Sequence, residues 1–163
     1  MSRCRYFLVL CFLLLAALPA AGTESTTVLG SPKALSDGAR ALQMRDFEEG
    51  LRLTLEGLRE ETRQEHRIAA FSNLCAGYVG LRRYDEALAA CNQALSMRPT
   101  HWRALNNRAA AYYGKGQLQA ARRDTEAGLA LNPESPKLLE MMELIRKAEA
   151  LPGATIAAGE DRR

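Results

Sequence analysis

Little in this chain can hold a metal or pass a proton. It has two histidines, His66 and His101, and neither belongs to a spacing such as HExxH. It has four cysteines, of which Cys4 and Cys11 lie near the N-terminus. Cys75 and Cys91 remain, and they form no metal-ligand cluster. A GxSxG elbow, a phosphate-cradling glycine loop and a dinucleotide fingerprint are all missing. The short GKG at Gly114–Gly116 falls where a turn is expected, and turn chemistry accounts for it. The acidic pairs Glu48–Glu49 and Glu60–Glu61 read as exposed helix faces, and the histidines as solvated or capping groups. These absences point away from an enzyme, and no metal or cofactor is expected.

Charge is equally restrained. The chain carries 22 basic and 19 acidic residues, a net charge of +3. Without the first 22 residues, which contain Arg3 and Arg5, the count becomes 20 against 19. That balance argues against a dedicated nucleic-acid or anionic-membrane surface.

The N-terminus differs from the rest. Arg3 and Arg5 precede the apolar run YFLVLCFLLLAAL, and the small residues ALPAAG follow. This three-part pattern is that of a secretory signal peptide, expected over residues 1–22, with a linker over 23–31. The apolar run is shorter than the ~20 residues that cross a bilayer, so a membrane anchor through an uncleaved signal is not expected. Arginine dominates over lysine and alanine is abundant, which suits a GC-rich bacterial genome. The expected location is therefore the periplasm, with secretion to the medium as the alternative.

What the chain does contain is an echo of itself. Asn73 recurs as Asn107, Tyr78 as Tyr112, Ala87 as Ala121, Leu95 as Leu129 and Pro99 as Pro133, each 34 residues on. A period of this length marks helical hairpins that bury their apolar faces on one another. An earlier copy, ALSDGARALQMRDFEEGLRLTLEGL, aligns through Phe47, Gly50 and Leu58 onto Tyr84, Ala87 and Leu95 at an offset of 37. Its extra residues lie in REETRQEH, so its second helix or its loop should be longer. Asp46 and Glu49 have capping-box spacing. After Pro133, Ser135 suits an N-cap, Pro136 a first helical position, and Leu138, Met141, Met142 and Ile145 repeat at helical spacing.

The two regular copies resemble tetratricopeptide repeats. The likeness rests on Phe71 and Leu105 opening the first helix, on small Cys75 and Ala109, and on Tyr78 and Tyr112. It is completed by small Ala87 and Ala121 and by closing Pro99 and Pro133. The resemblance implies an all-α, right-handed solenoid of three hairpins (32–66, 67–100 and 101–133), a capping helix at 135–151 and a disordered tail at 152–163. It also implies that first helices line a concave groove for a protein or peptide. Its residues would include Leu42, Ser72, Asn73, Val79, Arg103, Asn106, Asn107 and Tyr113, beside Leu35, Ser36 and Ala39. Asn73 and Asn107 are suited to grip a peptide backbone, because an amide both donates and accepts. Bonding within the solenoid is the competing role for them. Some relatives bind a chaperone's C-terminal carboxylate through a clamp of Lys, Asn and Arg. Asn73 and Arg103 fit two places of it, but Leu35, Ala39 and Asn107 replace the others, so that specialisation is not expected. The implied function is an exported adaptor. The alternative is a self-associating subunit that uses the groove or cap helix.

Two pairs remain. Arg108 stands where the previous copy has Leu74, facing Asp124 on the neighbouring helix, so a partly buried ion pair is expected. The alternative is that Arg108 reaches a ligand carboxylate. Cys75 and Cys91 are 16 residues apart about the turn at Arg83 and should lie level on facing helices. Two packed thiols are the expectation, since buried cysteine is an ordinary core residue, and a disulfide is the alternative.

Overall fold

The computed structural model describes residues 32–150. The expected signal peptide, linker and tail lie outside them. Among the described residues seven helices follow one another: α1 (Pro32–Gln43), α2 (Phe47–Leu58), α3 (Gln64–Gly80), α4 (Tyr84–Met97), α5 (Trp102–Gly114), α6 (Leu118–Leu131) and α7 (Pro136–Glu149). α1–α2, α3–α4 and α5–α6 are antiparallel hairpins, and α7 caps the third.

Each hairpin turns in three residues, and the middle one is left-handed: Arg45 at φ 64°, Arg82 at φ 58° and Gly116 at φ 74°. The closing bonds repeat as well. Asp46, Arg83 and Gln117 N–H groups donate to the carbonyls of Ala41, Tyr78 and Tyr112, each at 2.9 Å. This six-to-one bond satisfies a carbonyl at the helix end that would otherwise lack a partner. Only the third turn uses glycine, the residue without a steric penalty there.

The hairpins are matched by their closest approach. A Cβ on Gly38 would stand 2.6 Å from Thr54 Oγ1. The Cα atoms of Cys75 and Cys91 are 5.2 Å apart. Gly38 and Thr54 have the same 16-residue spacing as Cys75 and Cys91, and as the fully buried Ala109 and Thr125. Successive hairpins interlock by a second repeated contact. A Cβ on Gly80 would meet the Phe47 ring at 2.5 Å, and one on Gly114 would run into the Tyr84 ring. An aromatic that opens one hairpin's second helix thus rests where the next hairpin's first helix has no side chain.

The first unit has the longer loop expected, by one residue (59–63 against 98–101), but most of its added length lies elsewhere. α2 ends at Leu58. The other added residues extend the front of α3, whose Gln64–Arg67 turn has no counterpart in α5; the boundary expected at 66/67 lies inside this helix. Glu61 closes the connection in place of proline. Its carboxylate accepts from Arg63 N–H at 2.9 Å and from the Arg63 guanidinium at 2.8 and 3.0 Å, with His66 Nδ1 at 2.7 Å. Its side chain is only 4% exposed, so Glu61 is a buried hub and not the exposed face expected. The hydrogen bonds from Arg63 hold its carboxyl well below the usual carboxylate range.

Two caps also differ. Asp46 accepts from Glu49 N–H, but the Glu49 carboxylate turns to Arg52 at 2.7 Å, so the capping box is half made. Ser135 occupies the N-cap of α7 without a side-chain cap bond. Its carbonyl accepts the Leu138 and Leu139 N–H groups instead.

Candidate functional site: the inner face of the first helices

The first helices touch in sequence, α1 on α3, α3 on α5 and α5 on α7, whereas the second helices α2, α4 and α6 do not touch one another. A stack whose members meet along one side only must curve toward that side. The first helices therefore line the inner face.

Register fixes which residues share a level there. Ser36, Asn73 and Asn107 each lie two residues before the closest-approach position of their hairpin. Ser36, not Ala39, is thus the partner of Asn73 in the first unit, and Ala39 stands level with Ala76 and Ala110. Those three alanines are partly buried and form a low floor.

The expected groove residues divide into two groups. Asn107 is committed inside the solenoid: its amide donates to the Ser72 carbonyl at 2.9 Å and approaches the Ser72 hydroxyl at 3.4 Å. Ser72 is itself buried and offers nothing to a ligand. Leu42 turns toward the hairpin interior, with its Cδ2 2.5 Å from where a Gly50 Cβ would be. Val79 packs against the core. Asn106 is partly buried, and its Oδ1 has no partner among the described residues.

Asn73, Arg103 and Tyr113 form the second group. Asn73 is partly exposed and its side chain makes no hydrogen bond among the described residues. Arg103 is exposed and lies 4.4 Å over the Trp102 ring, a stacking arrangement that sequence reasoning missed. Tyr113 is partly exposed one level further along α5.

Arg108 belongs to the interior. It donates twice to Asp124, Nε–Oδ2 at 2.7 Å and Nη2–Oδ1 at 2.8 Å, and its Nη1 donates to Asn92 at 2.8 Å. The hydrogen bonds to Asp124 raise the guanidinium pKa further. Cys75 and Cys91 are joined as a disulfide, and both are fully buried. Packed free thiols are therefore not what the structure contains. Among the described residues, no three potential ligand side chains gather around a metal position, and no helix is long and apolar enough to cross a membrane.

His101 caps α5. Its Nδ1 accepts from Ala104 N–H at 3.2 Å, a bond that only a ring unprotonated at Nδ1 can accept. Burial, helped by Arg98 and Arg103, pushes the imidazole pKa below its usual range. A depressed folded-state value means the unfolded chain takes up the proton first. The cap's contribution is therefore complete above about pH 6.5 and is lost as pH falls from there toward the folded-state value. Urea midpoints measured across this window should decline in the wild type and decline less in His101→Ser, which keeps an oxygen acceptor. Parallel profiles would remove His101 from the pH dependence.

Comparison with known proteins agrees with this geometry. The profile of the tetratricopeptide repeat family matches residues 74–146. The Hsp70-Hsp90 organizing protein of Triticum aestivum is 29% identical over 89 residues, which is 55% of this chain and 15% of that protein. Protein PHOX1 of Arabidopsis thaliana is 29% identical over 115 residues, 68% of this chain. The chain spans about 15% of the length of these curated relatives. Among solved structures, the first TPR domain of Spaghetti (RPAP3) bound to the HSP90 peptide SRMEEVD superposes with a TM-score of 0.65. It is 20% identical, and the match covers 73% of this chain and 94% of that one. The described residues form a tetratricopeptide-repeat domain of several helical repeats.

Proposed function

We propose that this chain is an exported, non-enzymatic adaptor that binds an extended peptide segment of a partner protein along its inner face. Asn73 carries the reading. Its amide is partly exposed beside the alanine floor and, among the described residues, is committed to nothing else. It can donate and accept at once, as a peptide backbone requires. Arg103 supplies a positive charge beside it for an acidic side chain or terminus. The named relatives support the class of ligand, since the RPAP3 domain is bound to an HSP90 peptide. They do not carry the chaperone clamp over to this chain, because Asn107 stands where the clamp has arginine, and its amide is held by Ser72. Export is supported by Arg3, Arg5 and the apolar run behind them, and by a buried disulfide, which forms in oxidising compartments.

A random-peptide library selected on the protein tests the binding. Selected peptides should bind Asn73→Ala more weakly by about 0.5–1.5 kcal/mol, the net worth of one hydrogen bond, while the melting temperature stays unchanged. Equal affinity for the variant would move the site elsewhere. Loss of stability would make Asn73 structural.

A further inference from the structure

The closest-approach position of each hairpin is a repeated site with two solutions. In the first and third hairpins it pairs a small residue with threonine, whose hydroxyl bonds back along its own helix: Thr54 to the Gly50 carbonyl at 2.7 Å and Thr125 to the Ala121 carbonyl at 2.8 Å. Only the middle hairpin has a covalent link there, between Cys75 on α3 and Cys91 on α4. Both cysteines have zero exposure. Leu51 from α2, Leu74 from α3, and Ala104 and Leu105 from α5 belong to the same buried cluster. The Cys91 sulfur sits 3.1 Å from the Ala104 carbonyl, so α5 lies directly over it. Asn107, one turn further along α5, is fastened to the Ser72 carbonyl of α3.

We propose that α5 is a lid over the disulfide and that the Asn107–Ser72 bond is its latch. Thiol–disulfide exchange needs a thiolate to reach one of the two sulfurs. With α5 seated, none can. In the forward direction, the two thiols and one disulfide reagent give the Cys75–Cys91 bond and two reagent thiols. In the reverse direction, a dithiol is oxidised to its cyclic disulfide as the two cysteines regain their protons. Both directions wait for α5 to lift. The oxidation state set before α5 docks is then kept in a reducing medium for as long as the lid stays closed. α5 also carries Arg103 and Tyr113, so the event that exposes the disulfide also dismantles the inner face.

The experiment follows reduction of the oxidised full chain by excess dithiothreitol, with rapid alkylation and mass analysis. Native protein should be reduced far more slowly than protein in urea. Asn107→Ala should speed native reduction about fivefold, the Boltzmann factor of one ordinary hydrogen bond. Leu35→Ala, in the first hairpin and away from α5, should leave native reduction unchanged at matched temperature even if it lowers the urea midpoint. Native reduction as fast as in urea would overturn the lid. So would acceleration by both variants in proportion to their global stability loss, since global unfolding would then be the gate. Recovery of Cys75 and Cys91 themselves as alkylated residues from protein prepared without reductant would overturn the proposal at its start.

Discussion

Leu138→Ala combined with Ile145→Ala should detach α7 and leave the third hairpin prone to aggregate. Both side chains are fully buried, and Leu138 Cδ2 lies 2.7 Å from where a Cβ on Gly128 would be, so it fills the hollow that this glycine leaves. Each truncation costs about 2–5 kcal/mol through lost transfer energy and the cavity left behind. The two sites are two helical turns apart, so the costs should largely add. Terminal repeats also need a polar outer surface, so undocking should be followed by association. Urea denaturation with hydrogen exchange on α7 is the measurement. Leu139→Ala and Leu144→Ala serve as controls, because these leucines are 51% and 37% exposed and should change stability little. If Leu139 proved as costly as Leu138, a second face of α7 would have to be covered.

The register argues against such a cover. Shifting α5 by 34 residues places Ala104 and Ala111 on Leu138 and Ile145, and all four are fully buried. α7 therefore packs as the first helix of a further repeat would. Its other face departs from that pattern. Glu143 and Arg146 stand at the places of small Ala109 and of Tyr112, and they pair with each other. A helix approaching closely there would have to desolvate both charges, a cost that few contacts repay. This face is built for water, which weighs against self-association through the cap helix.

The fold was legible in the sequence because its determinants are local and periodic. The 34-residue recurrence of small residues, tyrosine and proline specifies hairpins, their spacing and their order. Details of the inner face were less legible. Asn107 bonds to the Ser72 carbonyl, and a backbone carbonyl leaves no trace in the residue type that carries it. Glu61 looks like any surface glutamate until the chain folds back and gathers Arg63 and His66 around it. The added turn at the front of α3 could not be placed from the 37-residue offset alone, because an insertion between two helices can lengthen either helix or the loop. The cysteines gave a symmetrical spacing, but spacing does not show whether two Cβ atoms point at each other.

Asp124→Ala should destabilise the protein by about 2–3 kcal/mol, below the full cost of orphaning a sealed charge because Arg108 and Asp124 keep 23% and 10% side-chain exposure. The variant leaves the Arg108 guanidinium with Asn92 as its remaining side-chain partner. The protein also supplies its own control. One repeat earlier, the positions of Arg108 and Asp124 are held by Leu74 and Ala90, an apolar pair in the same geometry. Arg108→Leu with Asp124→Ala recreates that pair in the third hairpin. Replacing a buried ion pair by apolar groups of fitting shape is commonly neutral or stabilising, because the desolvation cost of both charges disappears with the pair. The double variant should therefore lie within about 1 kcal/mol of the wild type or above it, with a large coupling energy in the double-mutant cycle. If instead the two single costs simply added, the pair would not be acting as a unit, and Arg108 would owe its place to Asn92 or to packing on the Tyr112 ring 6.0 Å away.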